Sequence, residues 1–276
     1  MTTMSEPTLA SPSNPRIKAA AALRERRERD ATGLTLVDGA RELRRALDSG
    51  VEVVEAFLCE PLLAGEDARA ALDALRARGV ALTSTSEAAF AKLAFGDRAE
   101  GLVAVVRAPS LALDDLRLTA EPLIVVIEGV EKPGNIGAVL RSADGAGVDA
   151  VIAASPRTDL ANPNVIRASA GTIFTVPMAA APTDEVLAWL RGRGVRVMAA
   201  RVDAGRAYTD TDLTGSIAIV VGSEAEGLSD AWLAPDVEPI HLPMLGIADS
   251  LNVSVSAAVL VYEARRQRGG RTVEAD

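Results

Sequence analysis

At 276 residues the chain is long enough for about two cores of ordinary domain size. Its 49% hydrophobic and 24% charged residues are those of a soluble globular protein, and aromatics at 3% exclude stacking on many bases as the main way of holding a nucleic acid. The net charge of −9 excludes a uniformly basic surface, while a single cysteine, Cys59, and a single histidine, His241, exclude a disulfide framework and the usual zinc constellations.

The first residues, MTTMSEPTLASPS, have no apolar run, so 1–12 is expected to be a disordered tail and not a secretory signal. Residues 14–29 read as a helix capped by Asn14 with Pro15 in its first position. A strand at 34–39, a helix at 40–49 stopped by Gly50, a strand at 53–58 and a helix at 66–78 ended by Gly79 follow. Then come a strand near 80–83, a helix with Ser86 as its cap and a strand at 102–106, making an α/β unit over 13–107. The stretch 108–122, with two prolines and mixed polarity, reads as a linker. Beyond it, LIVVIEGV is a continuous apolar run suited to a buried parallel strand, and further runs stand at 149–154, 195–200, 217–221 and 237–242. This is an α/β pattern with a mostly parallel sheet. No apolar run reaches the ~18 residues of a membrane span, and the single cysteine suits a reducing cytoplasm.

Charge is uneven along the chain. Between Arg16 and Arg29 stand six basic residues, Arg16, Lys18, Arg24, Arg26, Arg27 and Arg29, against Glu25 and Glu28. Arg265, Arg266 and Arg268 close the last helix. Phosphate binding needs such patches and not a basic average, although a solvated helix face would have the same composition.

A strand, a glycine-bearing loop and a helix in succession at 123–146 suggest a nucleotide site, yet EGVEKPGNIG lacks the G-x-G-x-x-G spacing and no G-K-[ST] occurs in the chain. Asn135 stands at the mouth of that helix, where capping is an ordinary use. Arg141 lies six residues on, about a turn and a half away. It follows the apolar Ile136, Ala138, Val139 and Leu140, so a specific anionic partner is expected for it. Gly222 would let a ligand approach the backbone, and Asn252, inside an apolar run, needs hydrogen-bond partners if buried. Glu226 is expected to be solvated. His241 alternates with Ile240 and Leu242 in an apolar strand and reads as structural.

Taken in order, GNIGAVLRSADGAGV at 134–148, VVGSEAEGL at 220–228 and HLPMLGIADSLNVSVSAAVL at 241–260 resemble the SpoU/TrmH branch of the SPOUT RNA methyltransferases over about 123–268. SNPRIKAAAALRERRERDATGLTLVDGARELRRAL, within 13–106, is similar to the RNA-binding domain that often precedes that catalytic domain. The resemblance implies a small α/β, ribosomal-protein-like substrate-binding domain and then a C-terminal trefoil-knotted SPOUT methyltransferase domain over 123–270. It also implies a homodimer, S-adenosylmethionine as cofactor, no metal, and transfer to a ribose 2′-hydroxyl of RNA. The N-terminal half looks like that of rRNA-directed members, thiostrepton-resistance-type enzymes included, which favours rRNA over tRNA. By position match Arg141 is the catalytic arginine with Asn135 beside it, and Glu224 braces the active-site loops. Ser250 and Asn252 belong to the substrate side, while Gly222, Leu242 and Leu251 contact the cofactor with Met244 and Ile240 near them. Met244 would serve equally well as core filler. A guanidinium is effectively always protonated, so Arg141 is expected to clamp a phosphate and orient the hydroxyl, not to act as a base. A base methyltransferase of the same superfamily, a non-catalytic RNA-binding or ribosome-assembly protein, and a dehydrogenase are the competing readings.

Overall fold

The computed structural model describes residues 8–95, 100–223 and 226–269, and the chain divides into two compact units. The first gathers 1–109 together with 159–175. It begins with α1 (Pro15–Ala22), α2 (Arg26–Thr32), β1 (Leu34–Asp38), α3 (Ala40–Asp48) and β2 (Val53–Leu58). There follow α4 (Glu66–Ala77), β3 (Leu82–Ser84), α5 (Glu87–Phe90) and β4 (Leu102–Arg107). The sheet order is β1-β4-β2-β3, antiparallel except for the β2–β3 pair. Ile17, Leu23, Phe57, Phe90 and Val103 are buried together on it; each such side chain removed from water contributes about 1.5–3 kcal/mol.

The helix read at 14–29 is two helices. Asn14 caps α1 as expected, its side chain accepting from the Arg16 amide at 2.9 Å. The chain then breaks at 23–25 because Leu23 turns into the core and Arg29 fills the gap. The Arg29 guanidinium is 4% exposed. It donates to the Leu23 and Arg24 carbonyls at 2.7 and 2.6 Å and to Asp159 at 2.6 Å. Carbonyls released by a helix end need such partners. The six-residue basic patch is therefore smaller in space than in sequence. Arg24 lies over the Phe95 ring at 4.4 Å; Arg16 and Arg26 are exposed but paired, with Glu55 at 2.7 Å and Asp30 at 3.4 Å, and Lys18 and Arg27 face solvent.

The second unit comprises 110–158 and 176–276. Leu113, Leu116 and Leu118, from the stretch read as a linker, pack against its core. It runs through β5 (Leu123–Glu128), α6 (Pro133–Ala146) and β6 (Ala150–Ala154). The chain then leaves for the first unit with α7 (Pro163–Ala168), where Thr35 donates to the Ala161 carbonyl at 2.6 Å. On return it forms β7 (Met178–Ala181), α8 (Thr183–Gly192), β8 (Arg196–Ala200), β9 (Ile217–Val221), β10 (Val237–Ile240) and α9 (Val253–Gln267). The order β10-β8-β9-β5-β6-β7 is parallel at every pairing. The four-residue β7, rich in alanine, carries no apolar run that a sequence reading would pick out. The basic cluster on α9 is structural: Arg265 donates to the Ala146 and Gly147 carbonyls at the end of α6, both at 2.6 Å. Arg266 pairs with Glu263. Arg268 donates to the Leu213, Glu121 and Gly215 carbonyls, and burial lowers the pKa of its guanidinium.

Candidate active site

From β5 the chain builds outward through β6 to β7 on one side, while β9, β8 and β10 lie on the other. The strand order thus reverses between β5 and β9. In open parallel sheets the crevice outside the strand C-termini at such a switch point is where ligands bind; Asn135 lies in the first turn of the helix that follows β5, and Gly222 directly follows β9.

A cavity of about 410 Å³ lies beside this point at the ends of β8 and β9, lined from the loop after β8, the loop after β9, the segment after β10 and the first turns of α9. Gly222, Leu242, Met244, Ser250 and Leu251 all line it. Ile240 does not; it is fully buried at the end of β10, two residues before the lining begins. The sequence reading gave Gly222 to ligand approach, but the nearer reason for its missing side chain is the protein's own backbone. A Cβ there would stand 2.3 Å from the carbonyl of Gly227 and 2.6 Å from the Leu228 amide. Asp203, Asp230 and Asp249 are also in the wall, the first paired with Arg201 at 2.9 and 2.6 Å. An apolar slot with an excess of carboxylates suits an adenosyl group that carries a sulfonium and an ammonium, and its size is in the range of small-molecule sites.

Directly after Leu251, Asn252 caps α9. Its side-chain oxygen accepts from the Ser254 amide at 3.0 Å and the Ser254 hydroxyl at 2.6 Å. Its amide nitrogen donates to Asn135 Oδ1 at 3.3 Å, so two predicted residues 117 positions apart meet. Asn135 is not the cap of α6: Lys132 holds that position and Asn135 is the third helical residue. Arg141, further along α6, is exposed and makes no side-chain hydrogen bond or ion pair among the described residues. No anionic partner for it stands among the described residues, and its guanidinium faces solvent. Glu224 lies outside the described residues. His241 continues the edge of β10 in a bridge to Ala207, with its Nδ1 shielded from solvent and outside the cavity wall.

The sequence reading missed two residues that tie the switch-point loops together. Glu128, the last residue of β5 and 6% exposed, accepts from the Thr183 hydroxyl at 2.7 Å, the Ser229 amide at 2.7 Å and the Ser229 hydroxyl at 2.8 Å. Hydrogen bonds to a charged group are worth about 1.5–3 kcal/mol each. Arg157, beyond β6, pairs with Glu131 at 2.9 Å and with Glu226. Glu226 is exposed, as expected, and is in addition an ion-pair partner of Arg157. A polar residue closing an apolar strand was the one available signal for Glu128; Arg157 had none.

Residues 122–262 match the SpoU rRNA methylase family and residues 14–104 the MRM3-like substrate binding domain. The chain belongs to the SpoU rRNA methylase family. It is 29% identical over 257 residues to the 23S rRNA (guanosine(2553)-2′-O)-methyltransferase RlmP of Bacillus subtilis, covering 93% of this chain and 98% of that protein. Among solved structures, an RNA 2′-O ribose methyltransferase is similar at 44% identity and a TM-score of 0.84, covering 95% and 99% of the two chains. The SpoU methyltransferase AviRb from Streptomyces viridochromogenes, in complex with AdoMet, is similar at 29% identity and a TM-score of 0.82, covering 92% and 99%.

Proposed function

We propose that this protein transfers a methyl group from S-adenosylmethionine to a ribose 2′-hydroxyl of RNA, and that the RNA is ribosomal. The observation that carries the reading is the joining of the Gly222–Leu242–Leu251 cavity wall, through Asn252, to Asn135 at the start of the helix that presents Arg141. Relatives that act on 23S rRNA across nearly the whole chain length, and a neighbour with AdoMet bound, support it.

Gly222, Leu242, Met244 and Leu251 would hold the adenosyl group, and the bound sulfonium supplies an already activated methyl. What this chain adds is alignment. Holding an acceptor in line with its donor can account for much of a rate enhancement. Arg141, exposed and without a side-chain partner among the described residues, can grip the phosphate beside the target ribose with two parallel donors. The Asn135–Asn252 pair fixes the first turns of α6 and α9 against each other, which sets where that grip falls. The transfer leaves S-adenosylhomocysteine and releases the hydroxyl proton to solvent, a guanidinium being no base at neutral pH.

A homodimer is part of the proposal. Leu245 and Ile247 are fully exposed, and Val255 and Tyr262, seven residues apart on α9, present apolar surface on one helix face. The face of α9 with Ala257, Leu260, Val261 and Ala264 is already buried within its own unit. No helix among the described residues is long and apolar enough to cross a membrane, and a cytoplasmic site of action is proposed with the rRNA substrate.

The test is transfer from labelled S-adenosylmethionine to total RNA lacking this modification, with the methyl mapped by its protection of the adjacent phosphodiester from alkali. A single protected site in rRNA is expected. A methyl on a base, or transfer to tRNA only, would replace the reading with one of its competitors.

A further inference from the structure

We propose that Arg157 is a positioning residue for the methyl transfer: its guanidinium sets the separation of the loop after β5 from the loop after β9, and so holds the cofactor wall and the acceptor side of the site in one geometry. The inference rests on the methyltransferase reading above.

Arg157 stands on neither loop. It follows β6, 44% exposed, and reaches Glu131 on one side at 2.9 Å and Glu226 on the other. Glu131 precedes Lys132, the cap of α6, and hence Asn135 and Arg141. Glu226 lies between Ser223 and Gly227, both of which line the cavity. The two loops nearly touch where they leave the sheet. A Cβ on Gly129, whose φ is +62°, would meet Ser223 Cβ at 3.9 Å and Arg157 Nε at 4.0 Å.

An exposed ion pair alone contributes little to stability, so Arg157 adds little to that of the whole protein. Its arrangement differs from such a pair because one cation serves two carboxylates on different loops. Without it, Glu131 and Glu226 would confront each other as like charges, 61% and 62% exposed, and would part toward solvent. Glu128 would still fasten the bases of the loops through Ser229. The expected result of losing Arg157 is thus a loosened site in a folded protein.

The test compares Arg157→Ala, Arg157→Lys and the triple variant Arg157→Ala, Glu131→Gln, Glu226→Gln in the full chain. Calorimetry reads S-adenosylhomocysteine binding, steady-state kinetics read kcat and KM for the RNA that the wild type methylates, and thermal unfolding checks the fold. For Arg157→Ala we expect cofactor-product affinity lower by about 3–10-fold and kcat lower by about tenfold, the scale of a modest misplacement at a reacting centre. KM for RNA should stay within about twofold, since Arg157 is expected to make no RNA contact. Neutralising the two glutamates should recover most of the loss, and lysine should recover part. Wild-type binding and kcat in Arg157→Ala would reduce the bridge to a solvated ion pair. A raised KM for RNA with unchanged cofactor-product affinity would make Arg157 a phosphate contact instead. A triple variant no better than the single one would overturn the like-charge argument. A wild-type protein that transfers no methyl would sink the methyltransferase reading, with the binding comparison still deciding on the brace.

Discussion

In the segment 16–29 and at 265–268 half of the arginines, Arg24, Arg29, Arg265 and Arg268, turn in to backbone carbonyls or a carboxylate, whereas on α6 a lone arginine faces solvent with no partner among the described residues. Arg29 holds a helix break closed, Arg265 caps α6 and Arg268 gathers several carbonyls. Arg141 has no such task among the described residues. Half of the clustered arginines are thus internal scaffolding, while the isolated residue on α6 is left available to a substrate. Guanidinium suits both uses because five fixed donors satisfy stranded carbonyls as readily as a phosphate.

The most severe disruption should come from removing residues 1–107. The segment 159–175 would lose the partners that bury Leu160, Val165, Ile166 and Ile173, each at most 3% exposed. With about 1.5–3 kcal/mol per exposed side chain, the remainder should aggregate or show a partly molten α7 segment by hydrogen exchange. A fully protected, monodisperse truncation product would mean that this segment folds without its partners. Next in size is Arg29→Ala, which strands Asp159 and two carbonyls in a buried setting. Breaking a buried pair costs about 3–5 kcal/mol, read as a drop in unfolding free energy, and a loss under about 1 kcal/mol would return Arg29 to the solvated class.

Arg141→Ala sharpens the contrast from the other side. Stability and cofactor affinity should hardly change, while transfer to RNA falls by at least about 10²-fold, the scale for loss of a positioned catalytic group. Arg141→Lys should rescue little, because an ammonium lacks the two-pronged grip; near-full activity of the lysine variant would refute the phosphate clamp. The smallest effect is expected from Arg27→Glu on the solvent side of α2. RNA affinity should weaken modestly and the slope of its logarithm against that of salt concentration should flatten by about one unit if Arg27 meets a phosphate. An unchanged slope would leave even the outward part of the cluster without an RNA role.

How far the sequence could be read depends on whether the signal was local. The apolar runs at 123–128 and 217–221 became β5 and β9 because a strand buried on both faces must be continuously apolar. Asn14 followed by proline and the glycine stops at 50 and 79 marked helix ends, because capping depends on one or two residues. The break at 23–25 could not be read that way, since it depends on Arg29 and on a core that Leu23 enters. The excursion of 159–175 into the first unit was equally invisible, its anchors being Thr35 and Arg29, more than a hundred residues away.

The same division holds at the site. Composition, the parallel α/β pattern and three short motifs pointed to the family and to Gly222, Leu242 and Leu251, three residues that line the same cavity wall, because closely packed loops at strand ends leave a local imprint on sequence. Only the tertiary structure decided that Asn135 meets Asn252, that Gly222 makes room for Gly227, and that Glu128 and Arg157 tie the two loops together. Each of these is an interaction across strand ends from distant parts of the chain or between backbones in close approach. Such interactions depend on distance in space, which neither residue type nor spacing along the chain records.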